Sequence, residues 1–274
     1  MYTGPKNATE GKAITVATLH EMKRRGEKFA CLTAYDASFA TLLDECGVEV
    51  VLVGDSLGMV IQGHPTTVPV TVDDMVYHTR AVARGLSRAL LMADMPFMSY
   101  ATPQRALDSA TRLMQEGMAQ MVKLEGSGDQ RAVIEYLATH DIPVCAHLGL
   151  RPQAVHKLGG FKVQGKTQDA AERMLADART LEEAGADILL VECIPAPLAA
   201  EITRQARVPV IGIGAGAATD AQILVLYDML DITPGRRPKF AKNFMAGAGD
   251  PRTAVRNYVA DVKAGRYPAP EHAF

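Results

Sequence analysis

Apolar residues along this chain fall into short, continuous runs separated by stretches of helical periodicity. Phe29–Ala34, Val48–Val53, Ala89–Met95, Ala119–Leu124, Ile142–Leu148, Asp187–Cys193 and Val208–Ile211 are dominated by aliphatic residues. They leave no room for a polar helix face, so they predict strands of a parallel sheet covered on both sides. Ile223–Leu230 supplies an eighth run. Helix signals fill the gaps: Asp36 stands ready to cap a helix ending at Cys46-Gly47, Thr71 precedes Asp73 and Asp74, Pro103 opens a segment, and Gln168–Gly185 is amphipathic. Eight strands alternating with helices predict an α/β fold, a closed (βα)8 TIM barrel. An open doubly wound sheet is the alternative, but no Gly-x-Gly-x-x-Gly follows the first strand. Thr15–Arg25 adds an amphipathic N-terminal helix placed to plug one end, after a loose arm over residues 1 to about 12.

The runs share an ending. Asp55 follows the second, Asp94 closes the third, Lys123 and Glu125 the fourth, His147 the fifth and Glu192 the sixth. Side chains two apart on a strand share a direction, so Val51, Val53 and Asp55 are expected on one face. The same rule groups Leu90, Met92 and Asp94, then Met121, Lys123 and Glu125, then Cys145 with His147 and Leu190 with Glu192. Facing inward, these charges meet at the carboxyl end of the barrel, where such folds place their chemistry.

Asp55, Asp94 and Glu125 from neighbouring strands repel one another unless a cation lies among them, and an all-oxygen donor set favours Mg²⁺. Helix capping is the structural alternative, strongest for Asp55. Lys123 is placed to neutralise a substrate carboxylate, to form a Schiff base, or to pair with a neighbouring acid. Glu192, beside Val191 and Ile194, has the setting of a base with a raised pKa, or of a buried structural glutamate. His147 is positioned to orient a substrate oxygen, or simply to pack. The long connection Ser56–Pro69 has the length of a lid or substrate wall, or of a surface excursion, and a second, Gly149–Thr167, is rich in turn formers. Gly212-Ile213-Gly214-Ala215-Gly216 reads either as a phosphate loop or as a close approach of strand and helix.

Composition narrows the class of partner. A chain of 274 residues fits one barrel, so a single domain over 1–274 is expected. A net charge of −2 provides no basic field for nucleic acid or an anionic membrane. Met1–Asn7 lacks the apolar core of a signal peptide and no 18-residue apolar run appears, so a cytoplasmic protein acting on small molecules is expected. Cys31, Cys46, Cys145 and Cys193 show no Cys-x-x-Cys spacing and read as buried reduced thiols rather than a zinc or disulfide framework.

Ordered segments then match a known family. Thr33-Ala34-Tyr35-Asp36, Asp55-Ser56-Leu57-Gly58, Pro69–Met75, Ala93–Phe97, Val122–Gly126, His147–Leu150, Lys157–Gly165, Val191–Cys193, Gly212–Gly216, Asp228–Leu230 and Pro238–Phe240 resemble the ketopantoate hydroxymethyltransferases in order. The similarity runs from about Thr15 to Pro268, and ordered matches are more specific than any one motif. The resemblance implies a (βα)8 barrel that transfers a hydroxymethyl group from 5,10-methylenetetrahydrofolate to 3-methyl-2-oxobutanoate in pantothenate synthesis. It implies Mg²⁺ at Asp55, Asp94 and Glu125, the oxo acid held by Asp55, Ser56, Asp94 and Lys123, and Glu192 as proton acceptor. It also implies a homo-oligomer, commonly a decamer in this family. Arg151, Pro197 and Ala217 depart from the family's usual residues, and none coincides with those positions. Two rivals differ in class: another metal-dependent barrel similar to the phosphoenolpyruvate mutase and isocitrate lyase group, whose Lys-Lys-Cys-Gly-His lid is missing here, and a barrel serving only as a binding module.

Overall fold

The computed structural model describes residues 12–233, 235 and 237–274; the expected amino-terminal arm lies, but for Lys12, outside the described residues. Eight parallel strands follow in order: β1 (Phe29–Thr33), β2 (Val50–Val53), β3 (Leu90–Asp94), β4 (Met121–Glu125), β5 (Val144–Gly149), β6 (Ile188–Glu192), β7 (Val210–Ile213) and β8 (Ala221–Leu224). Each pairs with the next and β8 closes on β1, giving the expected barrel. Every residue of β1 to β4 is buried, which is why β1 to β3 carry no polar alternation and the charges of β4 face the cavity.

The details depart from the sequence reading where an apolar run is ambiguous. The run Ile223–Leu230 is part strand and part helix: β8 ends at Leu224 and Leu226–Met229 is helical. Leu226 N turns back to donate to Thr33 Oγ1 at 3.0 Å, and apolarity alone does not separate a buried strand from a buried helical turn. The seventh strand begins at Val210 and takes in Gly212 and Ile213. Short helices lie inside both long connections, Leu57–Val60 in the first and Val155–Leu158 in the second.

Strand parity also needs one correction. Leu52 is in register with Met92, which shares the face of Asp94, and both Leu52 and Asp94 line the central cavity. Val51 and Val53 therefore face outward. Asp55 comes inward by the turn that follows β2, where Gly54 leaves space: a Cβ there would stand 2.7 Å from Ser56 Oγ.

Acids at the amino end of the barrel serve the backbone. Glu49 accepts from Ala30 N at 2.9 Å, Asp44 from Ala89 N at 2.7 Å, Asp187 from Val144 N at 2.9 Å and Asp220 from Val210 N at 2.9 Å. The helix Val16–Arg25 lies beneath this end, with Lys23 donating to Asp220 at 2.7 Å and His20 Nε2 3.0 Å from the Asp187 carbonyl oxygen. Its expected place as a plug is thus met. At the opposite end the acids are arranged differently.

Candidate active site

Register brings the charged residues together at the carboxyl end. Asp94 lies opposite Lys123, Glu125 opposite His147, and Gly149 opposite Glu192. With Asp55 and Ser56 from the turn after β2, Asp94, Lys123, Glu125, His147 and Glu192 line one cavity of about 460 Å³. Every site residue expected from the sequence is in this cavity.

Lys123 Nζ is 2.8 Å from Asp94 Oδ1, each side chain 5% exposed, and Asp94 Oδ2 accepts from Asp55 N at 3.0 Å. Lys123 Nζ is also 3.3 Å from His147 Nδ1. An ammonium only donates, so Nδ1 accepts and the imidazole proton belongs on Nε2. Nε2 is 3.3 Å from Glu192 Oε2, close but without an aligned hydrogen bond. Ser56 Oγ is 2.8 Å from the Tyr35 hydroxyl. Gln153, from the turn Pro152–Ala154 after β5, donates through Nε2 to Asp55 Oδ2 at 2.8 Å and through its backbone N to Glu125 Oε2 at 3.1 Å. Neither Gln153 nor Tyr100, which donates to the Gln153 carbonyl, stood out in the sequence. Their partners are 98 and 53 positions away, and an amide in a turn-rich segment carries no periodic signal.

Asp55, Asp94, Glu125 and Glu192 share the cavity with three lysines, of which only Lys123 is buried; Lys162 and Lys239 line it as well. Burial pushes Glu192 up to about 7 against the opposing pull of Lys123. Burial, then the charge of Asp94, pushes Asp55 up to about 7. Glu125 is raised well above the carboxylate range by burial and by Asp55. Burial by itself would lower Lys123, but Asp94, Glu125 and Asp55 outweigh it and hold the ammonium charged. An amine held in its ammonium form beside Asp94 is a poor nucleophile, which favours the charge-neutralising role of Lys123 over a Schiff base. His147 is held neutral by burial and by Lys123.

Among the described residues no three His, Cys, Asp or Glu side chains form a ready-made ion cage. The sequence led to three acids gathered around a cation, with pairing of Lys123 to a neighbouring acid as an alternative; in the structure Lys123 sits on Asp94 and Gln153, which was not expected here, on Asp55. The donor set nevertheless fits a divalent ion. Asp94 Oδ1 is buried without an aligned hydrogen bond, four acids converge on the cavity around one buried lysine, and the donors are carboxylate oxygens. Mg²⁺ commonly takes only one or two carboxylates directly and keeps several waters.

The glycine-rich segment after β7 supports close approach: a Cβ at Gly212 would meet Thr219 Oγ1 at 2.6 Å and one at Gly216 the Ala196 Cβ at 2.6 Å. All four cysteines are buried and free. No helix of the described residues is long and apolar enough to cross a membrane.

The model of one family, ketopantoate hydroxymethyltransferase, matches residues 13–270. The chain belongs to this family. It is 58% identical to the 3-methyl-2-oxobutanoate hydroxymethyltransferase of Alkalilimnicola ehrlichii, over 100% of this chain and 99% of the relative. It is 56% identical to the enzyme of the same name from Halorhodospira halophila, with the same coverage. Among solved structures the barrel is similar to phosphonopyruvate hydrolase in complex with oxalate and Mg²⁺, at TM-score 0.59 and 15% identity over 77% of this chain and 80% of that one. It is also similar to 2,3-dimethylmalate lyase, a member of the phosphoenolpyruvate mutase and isocitrate lyase superfamily, at TM-score 0.56 and 17% identity over 76% and 80%. At such identities the likeness is one of fold. The family is therefore decided by the full-length relatives, and the fold it shares with the lyases is the (βα)8 barrel found here.

Proposed function

We propose that this member of the family transfers the one-carbon unit of 5,10-methylenetetrahydrofolate, with one water, to 3-methyl-2-oxobutanoate, giving 2-dehydropantoate and tetrahydrofolate. The observation that carries the reading is one cavity where Glu192, with its raised pKa, shares the walls with Lys123, Asp55, Asp94 and Glu125. The names of the full-length relatives support the same substrate.

Asp55, Ser56, Asp94 and Lys123 would hold the oxo acid, with the Lys123 ammonium facing its carboxylate. Asp55, Asp94 and Glu125 would hold Mg²⁺, which when bound supplies an electrophile that stabilises negative charge on the keto oxygen. Glu192 takes the proton from C3, its pKa of about 7 leaving a substantial ionised fraction at neutral pH. The Nε2–H of His147, 3.3 Å away, orients the Glu192 carboxylate or a substrate oxygen beside it. C3 then bonds to the methylene carbon of the folate, and water supplies the hydroxyl as the carbon–nitrogen bonds give way.

The cavity, at about 460 Å³, is of drug-ligand size, larger than a five-carbon acid requires. Phe161, Phe240 and Phe274 with Lys162 and Lys239 line it too, a suitable wall for the flat ring and anionic tail of the folate. Free, buried thiols support a cytoplasmic setting, and exposed Tyr77, Phe97, Met98 and Met118 offer apolar surface for a homo-oligomer, a decamer by family likeness. Mass spectrometry of 2-dehydropantoate tests the reaction. Product should require the oxo acid, the folate and Mg²⁺ together; product formed equally well without the folate would contradict the proposed donor.

A further inference from the structure

We propose that Gln153 is a positioning residue that fixes the metal-binding carboxylates Asp55 and Glu125, an inference that rests on reading this site as a divalent-ion site. The residue is 6% exposed and every polar group of its side-chain amide is used. Nε2 donates to Asp55 Oδ2 at 2.8 Å and to the Met95 carbonyl at 2.9 Å, Oε1 accepts from the Tyr100 hydroxyl, and the backbone N donates to Glu125 Oε2 at 3.1 Å. The Tyr100 hydroxyl in turn lies 3.3 Å from Glu125 N. One residue after β5 thus touches acids that follow or end β2 and β4, and backbone that follows β3.

The chemistry of an amide suits this place. Lys123 neutralises the carboxylate it binds, so a second ammonium on Asp55 would compete with any bound cation. An amide donates a hydrogen bond and brings no charge. It fixes one oxygen of Asp55 while the negative charge stays available, as partners of metal ligands characteristically do. Tyr100, 7% exposed, holds the amide from its far side and sets which end is oxygen and which is nitrogen. A Gln153 that merely filled space would affect stability and leave the ion affinity of the folded protein untouched.

The test measures Mn²⁺ affinity by electron paramagnetic resonance of the free ion, without substrates, on protein shown to be folded by circular dichroism. The parent protein should bind Mn²⁺. Gln153→Met, similar in length but without the amide, should weaken binding about 10- to 100-fold, the loss typical of removing a ligand's hydrogen-bond partner. Tyr100→Phe should weaken it less, and the double variant no more than Gln153→Met alone, because Tyr100 acts through Gln153. Parental affinity in folded Gln153→Met overturns the proposal, as does an additive loss in the double variant. If Gln153→Met does not fold, unchanged affinity in Tyr100→Phe overturns it. A parent that binds no Mn²⁺ overturns the underlying ion site, an outcome distinct from these.

Discussion

Glu192 differs from the acids at the amino end of the barrel in what surrounds it. Asp44, Asp187 and Asp220 accept backbone N–H groups and so have structural work. Glu192 ends β6 beside a neutral imidazole and a cavity, and desolvation raises it to about 7. As a base it acts only when ionised, so kcat/KM should rise with pH, bend near 7 and level off above. Glu192→Gln should lower kcat by roughly 10²–10⁴ and abolish that bend. A bend that persists in this variant would assign it to another group. At this scale Asp94, Lys123, Glu125, His147 and Glu192 were legible because a strand's last residues are marked by the run they end. Gln153 and Tyr100 were not, since their importance arises from contacts made 53 to 98 residues away.

Elements hold these residues through backbone geometry that leaves little freedom. Gly149 ends β5 at φ 93°, and a Cβ there would lie 2.3 Å from the Glu192 carbonyl oxygen. Gly149→Ala therefore meets both an unfavourable backbone conformation and a backbone clash. It should cost more than about 1 kcal/mol in urea unfolding and displace Glu192, lowering kcat as well. Parental stability and kcat would show that β5 and β6 can separate here without consequence. Strand existence and order were readable from the apolar runs because burial on both faces leaves them continuous. The same continuity hid parity in β2, where register with β3 turns Leu52 inward, and hid the change from strand to helix after Leu224.

Across the whole molecule the mouth of the barrel trades stability for chemistry. Glu192 has an ordinary value of 4.5 when unfolded and about 7 when folded. Between these values the folded protein keeps a proton that the unfolded chain has released, so the protonated contribution is full below about 4.5 and is lost as pH rises through about 7. Glu192→Gln removes this penalty, so in urea unfolding it should gain stability over the parent at pH 8 and gain less at pH 5. Equal gains at both would contradict a raised pKa in the folded state. Mg²⁺ should raise the parent's Tm, because an ion bound only to the folded form stabilises it by mass action; no shift at saturating Mg²⁺ would argue against the ion site. The closed barrel was legible from alternation of strands and helices, whereas the internal pairing of Lys123 with Asp94 needed the register of β3 and β4 to be seen.

Proton removal from C3 is the step on which the account turns, and nuclear magnetic resonance in D₂O observes it directly. With 3-methyl-2-oxobutanoate and Mg²⁺ but no folate, the parent protein should replace the C3 proton by deuterium. Chelation by EDTA should abolish the exchange, and Glu192→Gln should slow it by roughly 10² or more. Exchange at the parental rate in Glu192→Gln, or none in the parent at saturating Mg²⁺, would contradict the assignment of Glu192 as the base.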